Sequence, residues 1–218
     1  NVTVKAFLLG FDHNSAVEGE HRIHFLMGEI GTTMTAFCDS QYNSQTSGAY
    51  FTMNTTNTNS GGWEASRMRK TVLGNSNTPD VPLEGSLMAV LPEDLRAVMK
   101  SVTKWTQNNA LTATTDYAFL MAEFEIFGTR SYANSGEQSK QAQYDYFKAG
   151  NPKVFYRHSA TTTAVIAWLR SPYASDSNNF CGVYTSGAAD YNFASYSLGV
   201  APGFHIGIKA KTAEPAQD

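Results

Sequence analysis

The period of the apolar positions changes repeatedly along this chain, and each change marks the border of a short element. Residues 2–9 (V-T-V-K-A-F-L-L) partly alternate, as a half-buried strand does. A polar loop follows over 10–20. Residues 21–30 (H-R-I-H-F-L-M-G-E-I) predict a second strand ended by Gly31, and 32–38 a third. Residues 39–60 are rich in Ser, Thr, Asn and Gly, with few core candidates beyond Tyr50, Phe51 and Met53, so a long loop with one short strand is expected. In 61–74, Trp63, Ser66, Met68 or Arg67, and Leu73 fall roughly on one helical face, and Gly74 supplies a stop, which predicts a helix of about three turns. A turn-rich loop spans 75–82. After the apolar run 87–91, Pro92 opens a helix over 92–102, with acids in its first turn and Leu95, Val98 and Met99 at buried-face spacing.

Residues 101–107 read as a strand carrying Val102 and Trp105, 108–115 as a loop, and 116–128 as a strand passing into a helix stopped by Gly128. Residues 136–150, with Tyr144 and Phe147, predict a helix broken by Asn151-Pro152, and the β-branched run 163–169 predicts a buried strand. Strand candidates at 180–184 and 204–208 complete the chain, with Gly-rich turns between. No internal repeat or dividing linker appears. The economical reading is one α+β domain over 1–208, built of short antiparallel strands, two or three helices and much irregular loop. The tail 209–218 reads as a linker or frayed end.

One stretch breaks every period. Between Trp168-Leu169-Arg170-Ser171-Pro172 and Gly199-Val200-Ala201-Pro202-Gly203-Phe204, residues 173–198 are almost entirely Tyr, Ser, Asn, Asp, Ala, Gly and Phe. That composition suits a recognition surface, because Tyr gives rigid contact area while Ser, Gly and Asn give adaptable hydrogen bonding. Tyr173, Tyr184, Tyr191, Phe193 and Tyr196 lie among small polar residues without a helical or strand period, so exposure is expected, and exposed aromatics mark contact sites. With them, Asp176, Asn178, Asn179, Ser186, Asp190, Asn192 and Ser195 form the candidate ligand-binding set.

Bulk composition changes the picture by exclusion. At 218 residues and 42% hydrophobic the chain can bury a core. Its net charge of -3 and the lack of any basic run offer nothing to nucleic acid or an anionic membrane, and no apolar run approaches a membrane span. A start at Asn1 without a charged-then-apolar leader reads as a fragment or a processed product. Cys38 and Cys181 have no metal-type spacing and are expected as two separate buried thiols rather than a disulfide.

Four motifs in order, G-G-W-E-A-S-R-M-R, F-L-M-A-E-F-E-I-F-G, W-L-R-S-P and G-V-A-P-G-F, resemble an uncharacterised domain of gut bacteria and their phages. That domain looks related in fold to the formylglycine-generating sulfatase-modifying enzymes and to C-type lectins. The resemblance implies a C-type-lectin-like fold whose C-terminal segment forms the ligand face. The same fold serves variable proteins of diversity-generating retroelements, including phage tropism determinants, where template adenines are mutated, typically in AAC codons. Changing the first two bases of AAC cannot yield Lys, Glu, Gln, Met or Trp. These five types number 9, 10, 7, 7 and 3, and none falls in 173–198. An even scatter would leave so long a window empty roughly once in 200 tries, although any Ser/Gly/Asn-rich loop also excludes them.

The implied role is a binding protein of a phage tail tip or a cell surface, recognising a host-surface protein or glycan. A homotrimer, or a place in a larger virion or surface assembly, follows only by that analogy. An enzyme of the formylglycine-generating type and a structural or adhesive domain are the alternatives. The enzyme needs a redox cysteine pair, and Phe180-Cys181-Gly182-Val183 looks instead like a core strand.

The remaining chemistry reads as structural. Arg170 follows an apolar strand and needs a partner, which Glu123 or Glu125 would supply; with Trp168 and Glu125 it forms the expected anchor of the displayed segment. Trp63, Trp105 and Trp168 are expected in the core rather than on a sugar-stacking platform. His21 and His24, near His13, Glu18 and Glu20, lack a metal spacing and are expected at the surface or satisfied. Asp12-His13 has no activated Ser to form a triad. Asp39 and the residues 54–60 lack an EF-hand pattern for calcium. No metal, cofactor or catalytic residue is assigned.

Overall fold

Lys104, a residue that ordinarily stays in water, lies inside this protein, and the fold is arranged so that it can. In a computed structural model, which describes residues 3–30, 32–38, 48 and 50–208, the strands are β1 (Lys5–Phe11), β2 (Arg22–Ile30), β3 (Thr33–Ala36), β4 (Met99–Lys100), β5 (Val102–Gln107), β6 (Leu111–Asp116), β7 (Ala118–Phe119), β8 (Phe155–Arg157), β9 (Ala160–Val165), β10 (Ala167–Pro172), β11 (Asn179–Val183), β12 (Ala189–Phe193) and β13 (Gly203–Gly207). The helices are single turns or little more: Ser15–Glu18, Gly62–Ala65, Leu87–Val90, Glu93–Val98, Glu123–Phe127 and Asp145–Lys148, with a π-helical turn at Met68–Val72 and a 3-10 turn at Ser135–Ser139. The content is α+β. Val2, Gly31, residues 39–47 with Asp39, and the tail 209–218 lie outside the described residues.

An 8-stranded sheet runs β4-β13-β2-β3-β8-β9, with β1 on β2 and β7 on β13. Its pairings are antiparallel except β3 with β8. A hairpin, β5–β6, and a 3-stranded sheet, β10-β11-β12, pack beside it. The N- and C-terminal strands β2 and β13 are neighbours, with Phe204 opposite Phe25 and His205 opposite His24. Every residue of β10 and β11 is buried, so W-L-R-S-P, together with F-C-G-V from within the segment 173–198, forms the floor on which the rest of that segment sits.

Several expectations give way to local chemistry. The three-turn helix over 61–74 is broken at Ser66, which turns extended. Its hydroxyl donates to the Trp63 carbonyl (2.9 Å) and accepts from the Arg69 N–H (3.1 Å), ending one turn and starting the next. Trp63, Ser66, Met68 and Leu73 are nonetheless all buried, as their common face requires. The helix beginning at Glu93 stops at Val98, which is exposed, and Met99 enters the core as part of β4. Residues 136–150 form no continuous helix: Glu137 turns inward from the 3-10 turn Ser135–Ser139, and Tyr144 turns inward from extended backbone just before the turn Asp145–Lys148. The expected loop 108–115 contains most of β6, whose inward residues Thr114 and Asp116 are polar. The expected strand in 39–60 is absent among the described residues there. On β5 it is Val102, Lys104 and Thr106 that face in, while Trp105 is half-exposed. Trp63 and Trp168 do lie in the core.

Candidate functional site

The two motifs that flank 173–198 meet and lock. The Trp168 N–H donates to the Gly199 carbonyl, and the Gly199 N–H to the Ile166 carbonyl, both at 2.8 Å. A side chain at Gly199 would press on Ala36 and Val165 at 3.0 Å, so the closing motif needs glycine for close approach. The Trp168 indole donates to the Phe51 carbonyl at 2.9 Å.

Arg170 is fully buried and forms the expected pair with Glu125, bidentate, with Nη1–Oε2 at 2.6 Å and Nη2–Oε1 at 2.8 Å. Its Nη1 also donates to the Leu120 carbonyl. Burial pushes the Glu125 carboxyl up, but the Arg170 guanidinium and Lys104 ammonium outweigh it and hold the group well below the usual carboxylate range. Among the described residues Glu123 pairs with no cation. Its carboxylate accepts the backbone N–H groups of Ser131, Tyr132 and Ala133 and so shapes the loop beside the floor.

From this floor the displayed segment divides by side-chain direction. Asn59 ties its first loop, Nδ2 donating to the carbonyls of Tyr173 (3.3 Å), Asp176 (2.9 Å) and Asn179 (3.0 Å). Asp176 Oδ1 accepts the N–H groups of Asn178 and Asn179, and its Oδ2 accepts the Asn179 amide at 2.6 Å. Ser195 bonds Asn57 through both its N–H and its hydroxyl. Asn179, Asn192 and Ser195 are therefore buried framework residues, which corrects their reading as presented ligand contacts. Asp190 accepts from Asn192 Nδ2 at 2.9 Å.

The outward set is smaller. Tyr184 (47% exposed), Tyr191 (39%) and Phe193 (38%) project to solvent with Ser186 and Asn178. Tyr191 and Phe193 do have a strand period, flanking buried Asn192 on β12, contrary to the aperiodic reading of the sequence. Aromatics at i and i+2 about a polar residue are the signal that marks it. Tyr173 and Tyr196 are half-buried. Tyr173 stacks on Tyr191 (centroids 4.3 Å apart, 17° between planes), with Tyr132 edge-on to both, and Phe193 meets Tyr196 edge-on at 5.3 Å. Tyr132 joins this cluster from a loop whose sequence carries no sign of it.

A second polar constellation lies under β5. Lys104 Nζ contacts Glu18 Oε2 at 2.7 Å and Glu125 Oε1 at 3.1 Å, with the Phe119 ring 4.1 Å away. His13, His24 and His205 surround Glu18 at 3.8–4.0 Å, all buried. Of the two histidines expected at the surface or satisfied, His24 is thus buried, with Nδ1 facing the Tyr144 hydroxyl at 3.4 Å and Nε2 unsatisfied. His21 is exposed. The Nε2 atoms of His13 and His24 and both ring nitrogens of His205 have no hydrogen-bond partner among the described residues. Burial lowers His13 and His24 to about 3, with Lys104 adding to the effect, and lowers His205 further.

Glu18, His24 and His205 bring ligand atoms within 4.8 Å of one another, a donor set of the kind that holds a metal. Charge opposes it. Two carboxylates already face two cations, Lys104 and Arg170, and a dication here would sit beside an ammonium in a closed, low-dielectric core. The arrangement fits a neutralised structural network. Glu137 stands apart beneath Ser171: burial raises it to about 7, although it accepts from the Ser171 hydroxyl (2.6 Å), the Gln107 N–H (2.9 Å) and the Gln141 amide (3.2 Å).

Cys38 and Cys181 form no disulfide. Cys181 is wholly buried, and burial pushes its thiol well above the usual value; Cys38 is half-buried, not fully as expected. No helix among the described residues is long and apolar enough to cross a membrane. A family model described as "Domain of unknown function (DUF6273)" matches residues 49–208. No curated protein and no solved structure matches the chain.

Proposed function

The chain belongs to the DUF6273 family, and we propose that it is a ligand-binding display module, in which a fixed C-type-lectin-like framework presents residues 173–198 to a host-surface ligand. The observation that carries this reading is the division of labour inside that segment. Asn179, Cys181, Asn192 and Ser195 point inward and are buried in the frame, whereas Tyr184, Ser186, Tyr191 and Phe193 point outward. Outward side chains that do not hold the fold are free to be selected for contact. Several exposed aromatics in one region are costly in water unless a partner covers them, and Tyr is among the residues that dominate binding energy at interfaces.

The lack of Lys, Glu, Gln, Met and Trp in the segment supports diversification of these outward positions by a retroelement of the type described above. In that setting the module sits at a phage tail tip or on a cell surface. The buried Cys181, with its thiol pushed up, weighs against oxidase chemistry, which needs an accessible thiolate.

The test is a triple variant, Tyr184→Ala, Tyr191→Ala and Phe193→Ala, compared with wild type for binding to a panel of intact bacterial cells by flow cytometry. Binding is expected to be lost while the melting temperature moves by less than about 4 °C, as for surface substitutions. Unchanged binding, or collapse of the fold, would defeat the proposal.

A further inference from the structure

Beside the outward aromatics lies a cleft of 540 Å³, between the β5–β6 turn and the loop 173–177. Its size is that of a small-molecule site, about 300–1,000 Å³. We propose that this cleft binds an uncharged saccharide; the inference rests on the display reading above and specifies the ligand class at the edge of that surface.

Three observations carry it. The first is chemical. One wall is made of amides, Gln107, Asn108, Asn109 and Asn134, and the other of Tyr173 with the hydroxyls of Ser175 and Ser177. Gln107 Oε1 accepts the Gly136 N–H at 2.7 Å, and the Asn108 and Asn134 amides each donate one bond within the protein. The free capacity is therefore the Asn108 and Asn134 oxygens, the remaining amide N–H groups and the whole Asn109 amide, which suits adjacent hydroxyl groups on a sugar ring.

The second is electrostatic. Asp176 is the charged side chain among the lining residues, and both its oxygens are occupied within the loop, by the Asn178 and Asn179 N–H groups and by the Asn179 amide. None of the lining residues is a cation that would select a phosphate or carboxylate. There is also no apolar pocket among the lining residues to anchor a peptide side chain. A neutral ligand dense in hydroxyls is what remains.

The third is preorganisation. Asn59 fixes the 173–179 backbone by three donated bonds, and its carbonyl accepts from Asn108 Nδ2 at 2.7 Å. Asn134 Nδ2 donates to the Gln107 carbonyl at 2.9 Å. These bonds set the amide orientations and leave Asn108 Oδ1 and Asn134 Oδ1 as acceptors. The Asn109 side chain is exposed and makes no hydrogen bond within the described protein, so its donors and acceptor are available. Tyr173 is braced by stacking on Tyr191, which gives the cleft a rigid aromatic lip against which the C–H face of a sugar can lie. Little ordering would accompany binding, the condition under which a few hydrogen bonds yield useful affinity.

The experiment is isothermal titration calorimetry, with ligand-observed NMR for weak binding, using maltose, cellobiose, lactose and N,N′-diacetylchitobiose, and 3′-sialyllactose as the charged comparator. Wild type, Asn109→Ala and Ser175→Trp are compared, the last filling the cleft from an exposed position. At least one neutral disaccharide is expected to bind. Asn109→Ala is expected to weaken it about tenfold, the effect of one lost hydrogen bond, and Ser175→Trp to abolish it, with both variants keeping the wild-type melting temperature. If no neutral sugar binds while the protein still binds cells through Tyr184, Tyr191 and Phe193, the saccharide inference is overturned and the display reading stands. If a sugar binds but neither variant weakens it, the cleft is not the site. If 3′-sialyllactose binds and its neutral counterpart lactose does not, recognition depends on charge and the inference fails.

Discussion

Replacing Arg170 with Met tests whether the frame beneath the displayed segment is held by a buried ion pair. The substitution removes two bonds to Glu125, at 2.6 and 2.8 Å, and one to the Leu120 carbonyl at 2.7 Å. Summed at about 1.5–3 kcal/mol per charged hydrogen bond, the loss would be about 4.5–9 kcal/mol. That sum is too large. Lys104 still faces Glu125 at 3.1 Å, and the Met side chain keeps most of the packing of the arginine stem. The relevant figure is that for breaking one partner of a buried pair, about 3–5 kcal/mol. For a chain of this size it corresponds to a fall in melting temperature of about 6–20 °C.

Glu125→Met alone is expected to cost a similar amount, since it strands Arg170. The double variant should recover more than half of the summed loss, because the remaining Lys104–Glu18 pair is still balanced. Urea denaturation followed by the fluorescence of buried Trp63 and Trp168 measures all four proteins. An Arg170→Met loss below about 1 kcal/mol, or a double variant equal to the sum of the singles, would refute the pair as the anchor.

Three further outcomes are expected. His13, His24 and His205 are held below their ordinary value, so they stay neutral when the unfolded chain protonates; their stabilisation is full above about pH 6.5 and falls as pH drops. From pH 7 to 5.5 the three together lose about 4 kcal/mol. Glu137, raised to about 7, gains about 1.5 kcal/mol over the same range, and Glu18, raised by burial despite Lys104, adds to that offset. Histidine NMR resonances that titrate near pH 6.5 at these three positions would contradict the burial argument. Asn59→Ala removes three donated bonds and should cost about 3 kcal/mol, read by urea denaturation, with new protease cleavage within 173–179; an unchanged cleavage pattern would remove Asn59 from its bracing role. Cys181 should resist thiol labelling in the native protein and react in denaturant, and rapid native labelling would reopen the enzyme alternative.

What can be read from the sequence follows from how far each residue's partner lies. Arg170 ends an apolar run, so its need for a carboxylate is visible locally, and F-L-M-A-E-F-E supplies one. Trp63, Met68 and Leu73 share a face whether the helix is whole or broken, so their burial is legible even though the break at Ser66 is not. Lys104 escapes a reading by periodicity because periodicity registers residue type. Its inward direction is stabilised by Glu18 and Glu125, which lie far from it in the chain. The same limit hides β6, where Asp116 is buried because the Trp63 indole and Arg69 reach it from another element. In the displayed segment, composition marks the region as distinct. It cannot separate Asn178 from Asn179, or Tyr191 from Asn192, because Asn179 opens the wholly buried strand β11 and the alternation of β12 turns Asn192 in.

The most direct measurement is a saturation scan of residues 173–198 that reads, for every variant, both resistance to proteolysis and binding to the cells recognised by wild type. Tyr184, Ser186, Tyr191 and Phe193 are expected to accept nearly any residue with the fold intact while binding changes. Asn179, Cys181, Asn192 and Ser195 are expected to lose fold and binding together. Equal intolerance at both sets, or outward substitutions that leave binding untouched, would contradict a fixed frame presenting a recognition surface.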